Sequence, residues 1–180
     1  LIWTGRFDEK NIMDKVLKFQ ALLVATVTLF SYVSLAGHQE GGEVSKTYMT
    51  ETDAGIFMSS ELTTSNQFPY SDAVLAGNTL YLSGMVGEDE EGALVDGGIK
   101  AETEEIFRQL QSHLSKFDLD LTNVVKCLVM LDDIDEWADF NKVYMSYFKP
   151  PYPARSALGA DGLALGAAIE MECIAVLPSE

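Results

Sequence analysis

The residue pattern predicts an α+β fold, a mixed β-sheet with two helices on one face. Three observations predict it. Short apolar stretches separated by Gly, Asn and Asp recur after Phe68, as strands do. Two longer stretches, residues 99–117 and 137–148, repeat their apolar side chains at steps of three and four, the period of an amphipathic helix. The elements then run strand-strand-helix-strand-helix-strand-strand over about 110 residues without an internal repeat, and two helices are enough to cover one face of such a sheet.

The first strand covers Asp72 to Ala76 and the second Thr79 to Val86, joined by Gly77-Asn78, a dipeptide suited to a tight hairpin. Gly87 to Gly98 is acidic and glycine-containing, a loop with a turn at Glu91-Gly92. Ile106, Phe107, Leu110, Leu114 and Phe117 form the apolar stripe of the first helix, Ile99 to Phe117, which Asp118-Leu119-Asp120 ends. Val124 to Leu131 is a strand with Val125, Cys127, Val129 and Leu131 on one face and Lys126 on the other. Asp132 to Asp135 offers an N-cap to the second helix, lined by Trp137, Phe140, Tyr144, Tyr147 and Phe148. A strand from Ala154 to Leu158, a loop from Gly159 to Gly166 and a last strand from Ala167 to Val176 complete the order. Leu128, Met130, Ile174 and Val176 share the face opposite the helices. One helix layer leaves that face wet, so a closed homo-oligomer is expected to bury it.

Ahead of this pattern, residues 1–36 read as a leader. Met13 to Lys18 is a short basic region, Phe19 to Leu35 is mostly apolar and uncharged, and Ser34 and Ala36 suit cleavage after Ala36. A secretory signal, hence a periplasmic or secreted protein, is expected; an uncleaved anchor is the competing reading, and a non-functional leader would leave the protein cytoplasmic. Residues 37–65 are polar, with one apolar patch at Ile56-Phe57-Met58, and read as a linker or docked N-terminal arm before the domain at 66–180.

The net charge is −16, and residues 37–180 carry 8 basic and 25 acidic side chains, a balance of −17. Such a surface repels phosphate backbones, so nucleic acid is excluded as an expected partner. Cys127 and Cys173 stand alone, and His38 and His113 are the only histidines, which argues against a metal site or a Ser-His-Asp triad. Neither metal nor cofactor is expected. Buried free thiols are expected for the cysteines, with a disulfide as the alternative that export would permit.

Chemistry concentrates at the C-terminal third. Three of the five prolines, Pro150, Pro151 and Pro153, stiffen the approach to Arg155 at a loop-to-strand junction. An arginine aimed this way offers a planar fork to a carboxylate, or else makes a structural ion pair. In the last strand Ile169, Met171, Cys173 and Ala175 face one way, and Glu170, Glu172, Ile174 and Val176 the other. Should the last two strands form an antiparallel hairpin, Glu170 approaches Arg155. The pair is then either a hydrolytic site in which Arg155 binds an anion and Glu170 handles water, or a structural bridge. Tyr70, Ser83 and Gly84, flanking the first hairpin, are weaker candidates: Gly84 permits close backbone approach and Ser83 offers a hydroxyl.

Six fragments, taken together, resemble the Rid/YjgF family. They are Pro69-Tyr70-Ser71-Asp72-Ala73, Leu82-Ser83-Gly84, Val124-Val125-Lys126, Phe140-Asn141-Lys142-Val143-Tyr144, Pro153-Ala154-Arg155-Ser156 and Ile169 to Val176, spread in order over about residues 66–178. The resemblance implies a chorismate-mutase-like fold, usually a homotrimer with sites in clefts between subunits. It also implies hydrolysis of reactive 2-imino or enamine acids to 2-oxo acids and ammonia, with Arg155 on the substrate carboxylate and Glu170 positioning the attacking water. Tyr70, Ser83, Gly84 and Asn141 match pocket-lining positions. Two positions depart from the family pattern. Ala157 stands where cysteine is frequent and contributes only backbone groups, and Met85 follows Ser83-Gly84 where glutamine is common. The alternatives are a non-catalytic protein that binds or senses small carboxylates, a ribonuclease, which the acidic surface opposes, and a holdase-like chaperone, for which no residue pattern speaks.

Overall fold

A computed structural model describes residues 46–178. The expected leader, and the start of the expected linker, lie outside the described residues. Strands β1 (Thr47–Thr52) and β2 (Gly55–Ser60) form a hairpin, followed by the short helix α1 (Glu61–Ser65). Then come β3 (Ala73–Ala76), β4 (Thr79–Leu82), β5 (Met85–Val86), α2 (Gly98–Ser115), β6 (Val124–Leu131), α3 (Trp137–Tyr147), β7 (Ala154–Gly159) and β8 (Ile169–Val176). All eight strands belong to one sheet, in the order β1-β2-β3-β4-β8-β6-β7, with β5 also paired to β8. The β6–β7 pair is parallel and the others are antiparallel.

The α+β architecture is the expected one, and its mixed character has a local cause. Segments β6, α3 and β7 make a strand-helix-strand crossover, which brings its two strands together in parallel. Ile106, Phe107, Leu110 and Leu114 from α2 and Phe140 from α3 are fully buried against Val129 and Met171 of the sheet. At about 25 cal/mol per Å² of apolar surface, each such side chain contributes roughly 1.5–3 kcal/mol, so this helix-covered face anchors the fold. The opposite face keeps Leu128, Met130, Ile174 and Val176 only half-buried and Tyr81 exposed.

Several expectations are revised. Within the segment read as a linker or docked arm, β2 pairs with β3 through Ile56↔Leu75, Phe57↔Val74 and Met58↔Ala73, and Met58 is buried in the core. Val125 does not share the inner face with Cys127. A bulge between Val124 and Lys126 turns Val125 outward and puts Val124 in the core. The second strand breaks at Ser83-Gly84. Tyr81 pairs with Ile174 but Met85 pairs with Met171, a one-residue register shift across the break.

Most consequential, β7 and β8 are not a hairpin, because β6 lies between them. Cys127 of β6 is the register partner of both Arg155 and Cys173, and the two cysteines are joined by a disulfide with Cα atoms 4.1 Å apart. The expected free thiols are therefore replaced by a cross-strand bond, which only the register places within reach.

Candidate active site

Arg155 is the second residue of β7 and projects to the helix-covered face, in one row with Cys127 and Cys173. There it meets α3. The Arg155 Cζ lies 5.1 Å from the Trp137 ring centroid, 5.3 Å from that of Phe140 and 4.5 Å from that of Tyr144. These three residues and Asn141 share one side of α3 by helical spacing. Ala157 is two residues along β7 from Arg155, on the same strand face. Helical spacing and strand alternation thus put Asn141 and Ala157 on the element faces that hold the three rings and Arg155. Arg155 is half-buried, and among the described residues no carboxylate lies within ion-pair distance of it. Burial raises the Tyr144 phenol above its usual range, and the Arg155 charge opposes that shift.

Glu170 lies on the other side of the sheet. It pairs with Met130 of β6 and Val86 of β5, three residues along β8 from the row of Arg155. Three residues along a strand and two strand spacings across put the two Cα atoms about 14 Å apart, with their side chains on opposite faces. Within one chain, the expected approach of Glu170 to Arg155 does not occur.

Glu170 instead belongs with Tyr70, Ser83 and Gly84. A Cβ on Gly84 would collide with the Glu170 carboxylate, so the absent side chain makes room for this acid. The Ser83 hydroxyl donates to the Ser71 carbonyl (2.7 Å) and the Ser83 N–H to the Asp72 carbonyl (3.0 Å). With its proton committed, the Ser83 oxygen faces any further partner as an acceptor. Tyr70 stacks on Phe68, ring centroids 5.6 Å apart. Its phenol is raised by burial, then by the charges of Asp72 and Glu88, with a smaller contribution from Glu170, while a hydrogen bond with Thr63 opposes them. Glu88 is itself raised, by burial first and then by Asp72 and Asp89. Among the described residues no group of three or more His, Cys, Asp or Glu side chains is placed to hold a metal ion. His113 has its Nδ1 buried without a hydrogen-bond partner, and burial lowers it below the usual imidazole range.

The chain thus carries Arg155 on the helix-covered face of the sheet and Glu170 on the other. A family model described as Endoribonuclease L-PSP matches residues 61–177. The chain belongs to the Rid/YjgF family. A human protein named 2-iminobutanoate/2-iminopropanoate deaminase is 40% identical over 109 residues, 60% of this chain and 80% of that protein. The Arabidopsis thaliana protein Reactive Intermediate Deaminase A, chloroplastic, is 38% identical over 110 residues, covering 61% of this chain and 59% of that protein. Among solved structures, yeast Mmf1 aligns with a TM-score of 0.59 at 36% identity, covering 62% of this chain and 89% of that one. A RidA from the Antarctic bacterium Psychrobacter sp. PAMC 21119 gives the same TM-score and identity over 61% and 89%.

The Rid/YjgF match begins at residue 61, so the β1–β2 hairpin precedes it. The sequence places Trp137, Phe140 and Tyr144 along the second helix and assigns none of them to the site. The usable signal was their spacing with Asn141, already a pocket candidate, which puts one polar residue and three rings on a common side of α3.

Proposed function

We propose that this Rid/YjgF chain is a hydrolytic deaminase of reactive 2-imino acids and their enamine tautomers, releasing 2-oxo acids and ammonia. The observation that carries the reading is Arg155: a half-buried guanidinium flanked by rings, with no acid within ion-pair distance among the described residues. A cation held without a counter-ion favours a small anion, and its planar edge matches the two oxygens of a carboxylate. Water adds to the C=N carbon of the protonated imine as its proton passes to the Glu170 carboxylate, giving a carbinolamine. Glu170 then returns that proton to nitrogen, and as ammonia leaves the freed carboxylate takes the hydroxyl proton, the C=O forms and the proton passes to solvent. No cofactor enters this scheme. Relatives named as 2-imino acid deaminases at about 40% identity support it.

Because Arg155 and Glu170 of one chain lie on opposite faces, the working site pairs Arg155, Asn141 and Ala157 of one copy with Tyr70, Ser83, Gly84 and Glu170 of another, in a homotrimer. The half-buried apolar residues on the open sheet face support such an assembly. Export is proposed with it. The Cys127–Cys173 disulfide supports that compartment, since such bonds persist where conditions are oxidising.

The test generates 2-iminopropanoate in situ and follows its loss with wild-type protein and with Arg155→Ala, alongside the assembly state of each. The wild type accelerates the loss and Arg155→Ala does not; an assembled wild type without acceleration overturns the reading. The separation of the half-sites within one chain also favours a second reading, a non-catalytic carboxylate binder. That reading predicts saturable, Arg155-dependent pyruvate binding without turnover.

A further inference from the structure

We propose that Trp137, Phe140 and Tyr144 form an aromatic cradle that positions Arg155, with Tyr144 the principal positioning residue. The proposal rests on the reading of Arg155 as the grip for the substrate carboxylate. A guanidinium has two kinds of surface. Its flat faces carry no donors and attract ring faces; its edge carries five N–H donors that match a carboxylate. An acidic neighbour would restrain the arginine by occupying the edge that the ligand needs. Rings whose centroids lie 4.5–5.3 Å from Cζ restrain it by packing and attraction without setting a carboxylate against its edge donors.

The surroundings fit this role. Phe140 is fully buried and Tyr144 is 4% exposed, so they shield the cation from water on one side, where the attraction to a ring is strongest. Tyr144 is the nearest of the three and is itself held by Phe140, Phe107 and Phe148 at centroid distances of 5.5, 6.0 and 4.8 Å. Its hydroxyl is buried without a hydrogen-bond partner. The ring, and not the hydroxyl, therefore accounts for its place beside Arg155. Trp137 closes the cradle on its outer side and is only half-buried.

The experiment measures pyruvate binding by calorimetry and imine-hydrolysis kinetics on the full chain. Tyr144→Phe keeps the ring and is expected to bind pyruvate within twofold of wild type. Tyr144→Leu removes it and is expected to weaken binding about tenfold, equivalent to about 1.4 kcal/mol, raising KM more than it lowers kcat. Trp137→Phe and Trp137→Leu repeat the contrast at the rim, where substitution disturbs the core less. Folding is checked by thermal melts. Folded leucine variants that bind like wild type overturn the proposal, and so does a Tyr144→Phe loss as large as that of Tyr144→Leu. Wild-type protein that binds no pyruvate, whatever stands at 144, overturns the underlying reading of Arg155. Pyruvate binding without turnover defeats the deaminase assignment and leaves the cradle standing.

Discussion

Arg155 sits on the helix-covered face of the sheet among three rings, whereas Glu170 sits on the other face, near Tyr70, whose surroundings include Asp72 and Glu88. The first region holds a charge by packing, with no counter-charge within ion-pair distance among the described residues. The second crowds like charges together, and the raised Tyr70 and Glu88 record what that crowding and burial do. The difference teaches that the two halves can be damaged separately. A fault in packing reaches the arginine through α3, and a fault in backbone geometry at the Ser83-Gly84 break reaches the glutamate.

The largest effect is expected on the cationic side. On the proposed reading, Arg155→Ala removes a bidentate, charge-assisted contact, each hydrogen bond of which is worth about 1.5–3 kcal/mol, so kcat/KM is expected to fall by about 10³-fold and pyruvate binding to be lost with it. Gly84→Ala tests the acidic side alone. Its Cβ would collide with the Glu170 carboxylate, so kcat falls by about 10²-fold while pyruvate binding is retained. Loss of pyruvate binding in Gly84→Ala as deep as in Arg155→Ala would break the comparison, because it would mean that the two regions do not contribute separately.

Less of this contrast was legible in the sequence than of the fold. The helices Gly98–Ser115 and Trp137–Tyr147 follow directly from apolar periodicity, as does the alternation in Ile169–Val176. The β1–β2 hairpin was hidden because an edge strand such as Thr47–Thr52 is mostly exposed and needs no apolar face. The bulge at Val125 and the shift at Ser83-Gly84 depend on pairing partners that lie far away in sequence. Pairing decided the site as well. Strand order, which residue types do not encode locally, put β6 between Arg155 and Glu170. The strand-helix-strand run Val124–Gly159 did signal that β6 and β7 are parallel neighbours, and reading it so would have removed the hairpin between the last two strands.

Smaller effects sharpen the contrast further. The disulfide, in the row of Arg155, joins residues 46 apart in sequence. Replacing both Cys127 and Cys173 by alanine is expected to cost about 2–4 kcal/mol of stability by urea denaturation, and the same loss should follow reduction of the wild type. The smallest effect belongs to Glu88 and is read as pH dependence. Its folded value is raised above the ordinary 4.5 by burial, Asp72 and Asp89, so the folded state binds the extra proton. Stability from this group is present below 4.5 and is lost as pH rises through the raised value. Glu88→Gln should flatten that decline; an unchanged profile would show that the crowding does not reach Glu88.

The hairpin ahead of residue 61 bears on how the protein can be handled. A fragment cut to the family boundary would lose Met58 from the core and strip the partner from the β3 edge, where Ala73 and Leu75 are buried. Bare backbone beside apolar side chains templates pairing between molecules. Trimming this chain to the residues that the family model matches is therefore expected to yield a sticky, poorly soluble product, and the segment from Thr47 onward should travel with the rest.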